Sequence, residues 1–237
     1  MRLLGLDFET TGLDPKKDLI IEIGAILWDT ELPLCPILQI QSDFIRLPAG
    51  QELSEEIVGL TGITNKMLSE FGGHIKPGLS RLNDLLLACE AVVAHNGNNF
   101  DKLFWQSALT REGYPQVDRL WIDTKSDLPY PPHIEQRKLK YLAYDHGIDI
   151  LYPHRALFDV FPLISLVSKY PLEDIVKAAK APTLTLRAMV SYDNRELAKK
   201  KYFNWDGERK FWVKDIKDFQ LEAEMKDAPF KIVILEK

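Results

Sequence analysis

Apolar residues in the first half of the chain fall into short runs that end at turn residues. The runs at 3–6, 19–28 and 38–47 are rich in leucine and isoleucine, and the third alternates with polar residues. Short apolar runs bounded by Gly, Pro and Asp predict β-strands, here three antiparallel ones. The shorter runs at 91–94 and 120–124 predict a fourth and a fifth strand of the same sheet.

Helical spacing occurs between and after these strands. Within 79–90, apolar residues recur at offsets of 0, 3, 6, 7 and 10, which places them on one buried helix face. Pro77-Gly78 is expected to break the chain before that helix. Strands that come first and then alternate with helices predict a mixed α/β sheet covered by helices. The other predicted helices span 52–60, 65–70, 100–111 (with Asn99 as its N-cap), 139–147 and 155–169.

A second, smaller domain is predicted after Ala181-Pro182, where the composition changes. Its expected elements are a strand at 183–191, a helix at 194–201, a hairpin turning at Asp206-Gly207 and a last strand at 230–235. The predicted organisation is therefore a large α/β domain over 1–172 and a small α+β domain over 182–237. A linker between about 171 and 182 is expected to join them.

Composition and charge narrow the function classes. The chain has 237 residues and a formal net charge of −5, which argues mildly against a general polyanion binder. Residues 181–237 hold 12 Lys and Arg against 10 Asp and Glu, whereas residues 1–180 hold 18 against 25. No apolar run has membrane-spanning length, and Met1-Arg2 leads into a strand rather than a signal peptide. Cys35 and Cys89 fit no metal or disulfide pattern, so a cytoplasmic protein without membrane contact is expected.

Two carboxylates at the end of the first strand are the first candidates for chemistry. Asp7 and Glu9 are separated by one residue, and side chains at i and i+2 of a strand point to the same face. Neighbouring carboxylates repel each other unless a cation neutralises them, and Mg²⁺ and Mn²⁺ prefer such oxygen ligands. The alternative is a solvated strand end that carries two acids.

Two later stretches contain further candidates. Asp101 follows a buried strand at the start of a helix, where an acid alone is usually only a partner for the helix dipole. His154 is expected at or before the start of the last long helix of the first domain, and Asp159 a little over one turn into it. Alone, a His and an Asp at this spacing are usually structural, but this geometry can aim both side chains at one point.

Taken together, these stretches resemble a known family. LDFETTG (6–12), AHNGNNFD (94–101) and HRALFD (154–159) are similar, in this order, to the three motifs of DEDDh-type 3′→5′ exonucleases. This class belongs to the DnaQ-like, RNase H-like superfamily and includes DNA polymerase III epsilon and RNase T. The segment 58–64 resembles the family's GIT element, and the resemblance covers roughly 1–170. Many members have two residues between His-Asn and Phe-Asp, whereas this chain has three (97–99).

The resemblance implies an RNase H-like fold and phosphodiester hydrolysis with two divalent ions, Mg²⁺ or Mn²⁺. The four carboxylates would hold the ions, and the family would have Asp7 bridge both. Histidine titrates near neutral pH, so His154 can accept the proton of the attacking water. The implied catalytic residues are Asp7, Glu9, Asp101, His154 and Asp159.

The resemblance also implies contacts to the terminal nucleotide. Backbone amides and hydroxyls of the turn after the first strand would meet the 3′-OH and phosphate, Leu13 would wedge against a base, and Phe100 would stack beneath one. Core packing is the alternative for Leu13 and Phe100, whereas Phe8 points away from the acids and is expected in the core. The implied substrate-binding residues are Thr10, Thr11, Gly12, Leu13, Asn96 and Phe100.

The second domain interleaves cations with aromatic residues. Residues 195–214 hold seven Lys and Arg against three Asp and Glu, a pattern typical of single-strand surfaces, which combine stacking with phosphate contact. The alternative is that the tryptophans form a small core which the lysines solvate. The candidate nucleic-acid contacts are Lys199, Lys200, Trp205, Arg209, Lys210 and Trp212.

These patterns predict a 3′→5′ exonuclease that releases nucleoside 5′-monophosphates from single-stranded DNA or 3′ overhangs, with repair or proofreading as its setting. One alternative is an exoribonuclease similar to RNase T or oligoribonuclease, because its catalytic residues would be the same. Another is a polymerase-associated proofreading subunit whose second domain binds a protein partner.

Overall fold

The computed structural model describes residues 1–32, 36–131, 133–134 and 136–235. Cys35 lies outside this described part, and Cys89 is a buried free thiol. The chain divides into two compact units, Met1–Ala179 and Lys180–Lys237. Among the described helices, none combines the length and the hydrophobicity that a membrane span requires.

The first unit is built on a mixed five-stranded sheet, as predicted. Its strand order is β3-β2-β1-β4-β5. The first three strands pair antiparallel, whereas β4 pairs parallel with β1 and with β5. The strands are β1 Arg2–Thr10, β2 Ile20–Asp29, β3 Ile37–Phe44, β4 Ala91–Ala94 and β5 Leu120–Asp123.

The helices in the described part of the first unit cover both faces of this sheet. Leu4, Leu6 and Phe8 of β1 belong to one core cluster, together with apolar residues of α3 and α4. Leu3 belongs to the opposite cluster with residues of α5, α6 and α7. The helices are α1 Glu55–Thr61, α2 Asn65–Phe71, α3 Ile75–Ala88, α4 Asp101–Glu112, α5 Leu139–Asp145, α6 Ala156–Val167 and α7 Leu172–Lys180.

The predicted chain break before α3 and the predicted linker after Pro171 are wrong. Pro77-Gly78 does not break the chain, because α3 begins at Ile75 and includes both residues. Proline is tolerated in a first helical turn, where its missing N–H would have had no partner within the helix. The predicted linker contains α7, whose Ile175 is fully buried in the core of the first unit.

Glycines let α6 lie directly on the sheet. A Cβ atom at Gly24 of β2 would lie 2.2 Å from the backbone nitrogen of Leu157, and one at Gly5 of β1 would lie 2.5 Å from Val160 Cγ1. Any larger residue would push the helix away. Gly24 pairs with Asp7 across the two strands, so this contact brings the start of α6 next to the first candidate carboxylate.

The second unit is a four-stranded antiparallel sheet with two short helices. Its strand order is β7-β8-β6-β9. Leu186, Ala198 and Phe203 are central to its small core, together with Ile216 and Ile232. The elements are β6 Thr183–Met189, α8 Arg195–Lys200, β7 Asn204–Asp206, β8 Phe211–Lys217, a 3-10 turn Asp218–Gln220, α9 Leu221–Asp227 and β9 Lys231–Leu235.

Candidate active site

Asp7 and Glu9 lie near the end of β1, on the sheet face that α6 covers. The register places Asp7 opposite Gly24 and Glu9 opposite Glu22. Glu9 is 9% exposed and Asp7 is half-buried. The strand therefore presents both carboxylates at the edge of a buried region, where like charges repel strongly.

Asp101, the first residue of α4, reaches the same strand. The Phe8 N–H donates a 3.1 Å hydrogen bond to Asp101 Oδ1. Asp101 is 1% exposed, and its Oδ2 is buried without a hydrogen-bond partner among the described residues. A buried carboxylate oxygen without a partner is costly, and a bound cation would satisfy it.

The turn that precedes Asp101 absorbs the additional residue of the second motif. Asn96 adopts a positive φ of 60°, and the N–H groups of Phe100 and Lys102 both donate to the Gly97 carbonyl. Phe100, rather than the predicted Asn99, is the N-cap of α4 and forms no side-chain cap hydrogen bond. The longer turn thus still delivers Asp101 to β1.

Asp123 braces this turn, a role that the sequence analysis did not assign. Its carboxylate accepts hydrogen bonds from the backbone N–H groups of Asn96 (2.8 Å), Asn98 (3.3 Å) and Lys125 (3.0 Å). The Asn96 side-chain oxygen accepts a hydrogen bond from Lys125 Nζ at 3.1 Å. The only sequence signal was an acid at the end of a buried strand.

His154 and Asp159 lie at the start of α6. His154 is exposed, precedes the helix by two residues and has a φ of 62°. Its backbone N–H donates to Asp159 Oδ2 at 2.9 Å. The candidate ligand atoms of Glu9, His154 and Asp159 all lie within 4.8 Å of one another. The strand and the helix therefore bring these three side chains to one place.

Glu22 and Arg155 form an ion pair beside this group, which the sequence analysis also did not assign. Glu22 is 2% exposed and accepts hydrogen bonds from Arg155 Nη2 at 2.9 Å and Nε at 3.2 Å. It also accepts the backbone N–H of Ala156 at 2.9 Å. Glu22 was visible in the sequence as the one charge inside an apolar run, and it fixes the first turn of α6 against β2.

The four candidate carboxylates resist ionisation. Burial raises the pKa of Glu9 to about 8, with repulsion from Asp159 adding to it, and burial also raises the pKa of Asp101 to about 8. The pKa of Asp7 is raised well above its usual value by burial and then by Asp101 and Glu9. Burial likewise raises the pKa of Asp159. A crowded set of buried and half-buried carboxylates with one unsatisfied oxygen fits hard divalent cations such as Mg²⁺ or Mn²⁺.

The threonine hydroxyls of the turn after β1 already form hydrogen bonds within the turn. Thr10 Oγ1 donates to the Gly12 carbonyl (2.6 Å), and Thr11 Oγ1 donates to Asp18 Oδ1 (3.3 Å). Both hydroxyl protons are therefore used within the turn, and the predicted donation to a substrate would require them to move. Leu13 is 85% exposed, which contradicts the core-packing alternative for this residue.

The two phenylalanines near the site differ from Leu13. Phe100 is half-buried and packs on Phe104, with ring centroids 4.7 Å apart. It belongs to the periphery of the core, so any stacking on a base would use only its remaining exposed part. Phe8 is 3% exposed and lies in the core, as expected.

The structure separates the candidate residues of the second unit into two groups. Lys199, Trp205, Lys210 and Trp212 line one cavity, whereas Lys200 and Arg209 do not. Trp205 is 51% exposed, so the alternative in which the tryptophans form the core is wrong for this residue. Trp212 is half-buried and packs against that core.

Family comparisons divide the chain in the same place as the fold. A family model described as Exonuclease (RNase_T) matches residues 4–167. A domain of unknown function, DUF8626, matches residues 184–234. The DNA polymerase III PolC-type of Ureaplasma parvum serovar 3 is 30% identical over 162 residues, which are 66% of this chain and 10% of that protein. The chain thus spans about a tenth of the length of the curated relatives it matches.

Solved structures share the fold. A zinc-bound complex of E. coli ExoI with ssDNA has a TM-score of 0.60 and 20% identity, over 76% of this chain and 41% of that chain. The nuclease domain of 3′hExo, described as a DEDDh family member bound to rAMP, has a TM-score of 0.58 and 20% identity. That match covers 71% of this chain and 90% of the other.

Proposed function

Because the chain belongs to the RNase_T exonuclease family, we propose that it is a metal-dependent 3′→5′ exonuclease acting on single-stranded DNA. The observation that carries the proposal is the meeting of acids from three elements. Asp7 and Glu9 come from β1, Asp101 from α4 and Asp159 from α6. Each has a raised pKa, and repulsion by the other three carboxylates contributes to the raised pKa of Asp7.

These four carboxylates would hold two Mg²⁺ or Mn²⁺ ions. The bound ions would neutralise charge on the attacked phosphate and stabilise the leaving oxygen. The carboxylates must be ionised to bind a cation, which their raised pKa values oppose until the cation arrives. Protonated acids in the free site and ionised acids in the loaded site are the expected consequence.

His154 is the proposed general base. It accepts a proton from the attacking water at an imidazole nitrogen, and the water oxygen then forms the new bond to phosphorus while the bond to the upstream 3′ oxygen breaks. Its place is fixed by the hydrogen bond from its backbone N–H to Asp159. The Glu22–Arg155 pair holds the next residue of the same turn.

The turn after β1 is the proposed seat of the 3′ end. Leu13, 85% exposed beside the carboxylates' strand, would insert against the terminal base. A base that is wedged and splayed cannot remain paired, so single strands are the preferred substrate. DNA is favoured because ExoI, which shares the fold, is described in complex with ssDNA.

An exoribonuclease is the second candidate, because 3′hExo is described as bound to rAMP. Matched DNA and RNA 20-mers of one sequence, labelled at the 5′ end, separate the two. DNA trimming from the 3′ end that requires Mg²⁺ or Mn²⁺ is expected, and faster trimming of the RNA would overturn the choice of DNA.

Asp7→Ala should abolish this activity. The matched control is Asp84→Ala, which removes an exposed acid of α3 and should leave the rate unchanged. Metal-dependent activity retained by Asp7→Ala would refute the proposed mechanism itself.

A proofreading role is the proposed setting, supported by the match to PolC-type polymerases. We also propose that residues 1–172 form the catalytic domain and that 182–237 form a separate binding domain. A DNA primer with a mispaired 3′ end should be trimmed faster than a fully paired one, since its last base is already unpaired.

A further inference from the structure

The second unit contains a cavity of about 700 Å³ between the end of β6, α8 and the β7–β8 hairpin. Its volume lies within the range of sites that hold nucleotide-sized ligands. DUF8626, which matches this unit, carries no assigned function. Similarity to this family therefore does not identify a ligand, which is inferred from the residues that line the cavity.

The charges of the lining are of one sign. Arg187, Arg195, Lys199 and Lys210 line the cavity, and the lining includes neither Asp nor Glu among the described residues. Lys199 Nζ lies 2.7 Å and Arg195 Nε 3.8 Å from Glu196, which is 60% exposed and shared by both. Within the described ranges, Arg187 and Lys210 form no ion pair at all. A polyanion is the ligand that this balance favours.

Arg187 has an unmet hydrogen-bonding group. Its Nε is buried and lacks a hydrogen-bond partner in the described part of the chain. The Arg187 guanidinium lies 4.3 Å from the ring centroid of Phe211. Its flat face packs on this ring, and its N–H edge remains for hydrogen bonds. A planar guanidinium fixed in this way is suited to phosphate.

Aromatic side chains form another part of the lining. Trp205 and Trp212 meet edge to face, with centroids 5.6 Å apart and an interplanar angle of 63°. Trp205 is 51% exposed, so part of its ring is available to a base. Exposed aromatic surface among cations is the combination that binds single-stranded nucleic acid.

The hairpin holds Lys210 in a strained conformation at this cavity. Lys210 has a φ of 60°, which costs free energy for any residue with a Cβ. Asp206 enforces the turn, since its carboxylate accepts the N–H groups of Glu208 (3.0 Å) and Arg209 (2.8 Å). Its carbonyl accepts the Lys210 N–H at 2.9 Å. These hydrogen bonds fix the backbone position from which the Lys210 side chain extends.

We propose that this cavity is a second nucleic-acid site, which binds one base of a DNA single strand against Trp205 and adjoining phosphates through Arg187 and Lys210. An acidic peptide would satisfy the cations but would leave the tryptophan surface unused. The site does not depend on hydrolysis by the first unit. Binding is therefore measured in EDTA, where failure of this site and failure of the exonuclease proposal are separate results.

The experiment uses the full chain and a fluorescein-labelled oligothymidylate of 20 nucleotides, followed by anisotropy. Trp205→Ala should raise the Kd about tenfold, because it removes one base–aromatic stack. Lys210→Gln should also weaken binding and should make the slope of log K against log salt shallower by about 0.7, the value for one phosphate on a single strand. Trp205→Ala should leave that slope unchanged.

Two control variants have the same chemistry outside the cavity. Phe219→Ala removes an aromatic residue that is 58% exposed, and Lys226→Gln removes an exposed cation of α9. Both should bind the oligomer with less than a twofold change in Kd. If the Trp205 and Lys210 variants behave like these two, the site is refuted.

Two competition arms identify the class of ligand. Excess dTMP should not displace the oligomer, since one nucleotide offers a single phosphate; displacement at matched nucleotide concentration would assign the cavity to free nucleotides instead. Displacement by an oligoglutamate of equal charge would assign it to acidic peptides and overturn the proposal. If Trp205→Ala does not fold, judged by circular dichroism, the exposed Lys210 variant and its salt slope still decide the question.

Discussion

The two units use charge in opposite ways. The first unit brings four carboxylates together and raises the pKa of each, mainly through burial, with repulsion by the other acids adding at Asp7 and Glu9. The second unit places four cations around an open cavity, without an acid in the described lining. Buried like charges need a scaffold that cannot relax, whereas exposed ones are screened by water and ions.

The scaffolds differ accordingly. The acids are held by the centre of a five-stranded sheet, by glycine contacts to α6 and by two braces, Glu22 and Asp123. The cations are carried by β6, the short helix α8 and the β7–β8 hairpin, over a small core. This contrast suits chemistry that requires fixed atoms in one unit and strand binding that tolerates adjustment in the other.

Asp101→Asn should produce the largest effect, in two directions. Activity should fall about 10³-fold or more, since residues that act as a unit lose most of their effect together. In EDTA at pH 8 the melting temperature should rise, because a buried acid with a pKa of about 8 has been replaced by a neutral amide. Nuclease assays and thermal unfolding of the same sample measure both.

Asp123→Asn is the matched control for that variant. It changes another buried acid, whose carboxylate accepts hydrogen bonds from three backbone N–H groups. Its melting temperature should fall rather than rise. A fall in both variants would mean that burial does not make the ionised Asp101 carboxylate destabilising.

Glu22→Gln should have the next largest effect. The variant leaves Arg155 without its ionic partner, so the free energy of unfolding should drop by about 2 kcal/mol. Displacement of the first turn of α6 should lower kcat about 10- to 100-fold with a smaller change in KM. Denaturant unfolding and steady-state kinetics test this, and unchanged kcat with lowered stability would limit Glu22 to a purely structural role.

The pH dependence of stability should be smaller and has a definite sign. The folded, metal-free protein keeps protons on Glu9 and Asp101 up to about pH 8, whereas unfolded carboxyls lose theirs near 4.5 and 3.8. The folded state thus binds more protons in this window, so stability falls as the pH rises through it. The melting temperature in EDTA should be lower at pH 8.5 than at pH 5.5 by about 5 °C.

Added Mg²⁺ or Mn²⁺ should raise the melting temperature more at pH 8.5 than at pH 5.5, because binding requires ionised acids. His95, whose pKa burial lowers to about 4, acts in the opposite direction below neutrality. Asp101→Asn therefore serves as the internal reference. If the pH dependence is not reduced in that variant, the acids are not its source.

Arg209→Gln should have the smallest effect. Arg209 already pairs with Asp206 at 3.6 Å and does not line the cavity, so oligomer affinity should change less than twofold. Lys210, its neighbour, should matter several times more. Anisotropy titrations of the two variants side by side compare adjacent cations, and equal losses would indicate a diffuse charge effect.

The sequence predicted the strands of the first unit and the family of the site, because both depend on local patterns. Apolar runs identify buried strands wherever they pair, and Asp7, Glu9, Asp101, His154 and Asp159 occur within recognisable motifs. The predicted strand at 91–94 coincides with β4. The catalytic roles of the five residues remain predictions.

What sequence reasoning missed depends on contacts between distant residues. Glu22 and Arg155 are 133 residues apart, and neither position has a local signal that specifies the other. At Pro77 and in the segment of α7, tertiary packing overrides the local effect of the breaker residues, so the local pattern predicts the wrong structure there. The stacking of Arg187 on Phe211 depends on the pairing of β6 with β8, which the local sequence does not specify.

The seating of α6 on Gly24 also has a consequence for synthesis of the protein. The helix that supplies Asp159 and follows His154 packs on a strand made more than a hundred residues earlier. Such a long-range contact forms late, after the intervening chain exists. A nascent chain on the ribosome therefore carries only three of the four acids until this segment emerges. We expect the nascent chain to have no nuclease activity while its mRNA is still being translated. Activity should appear only when the first unit is complete.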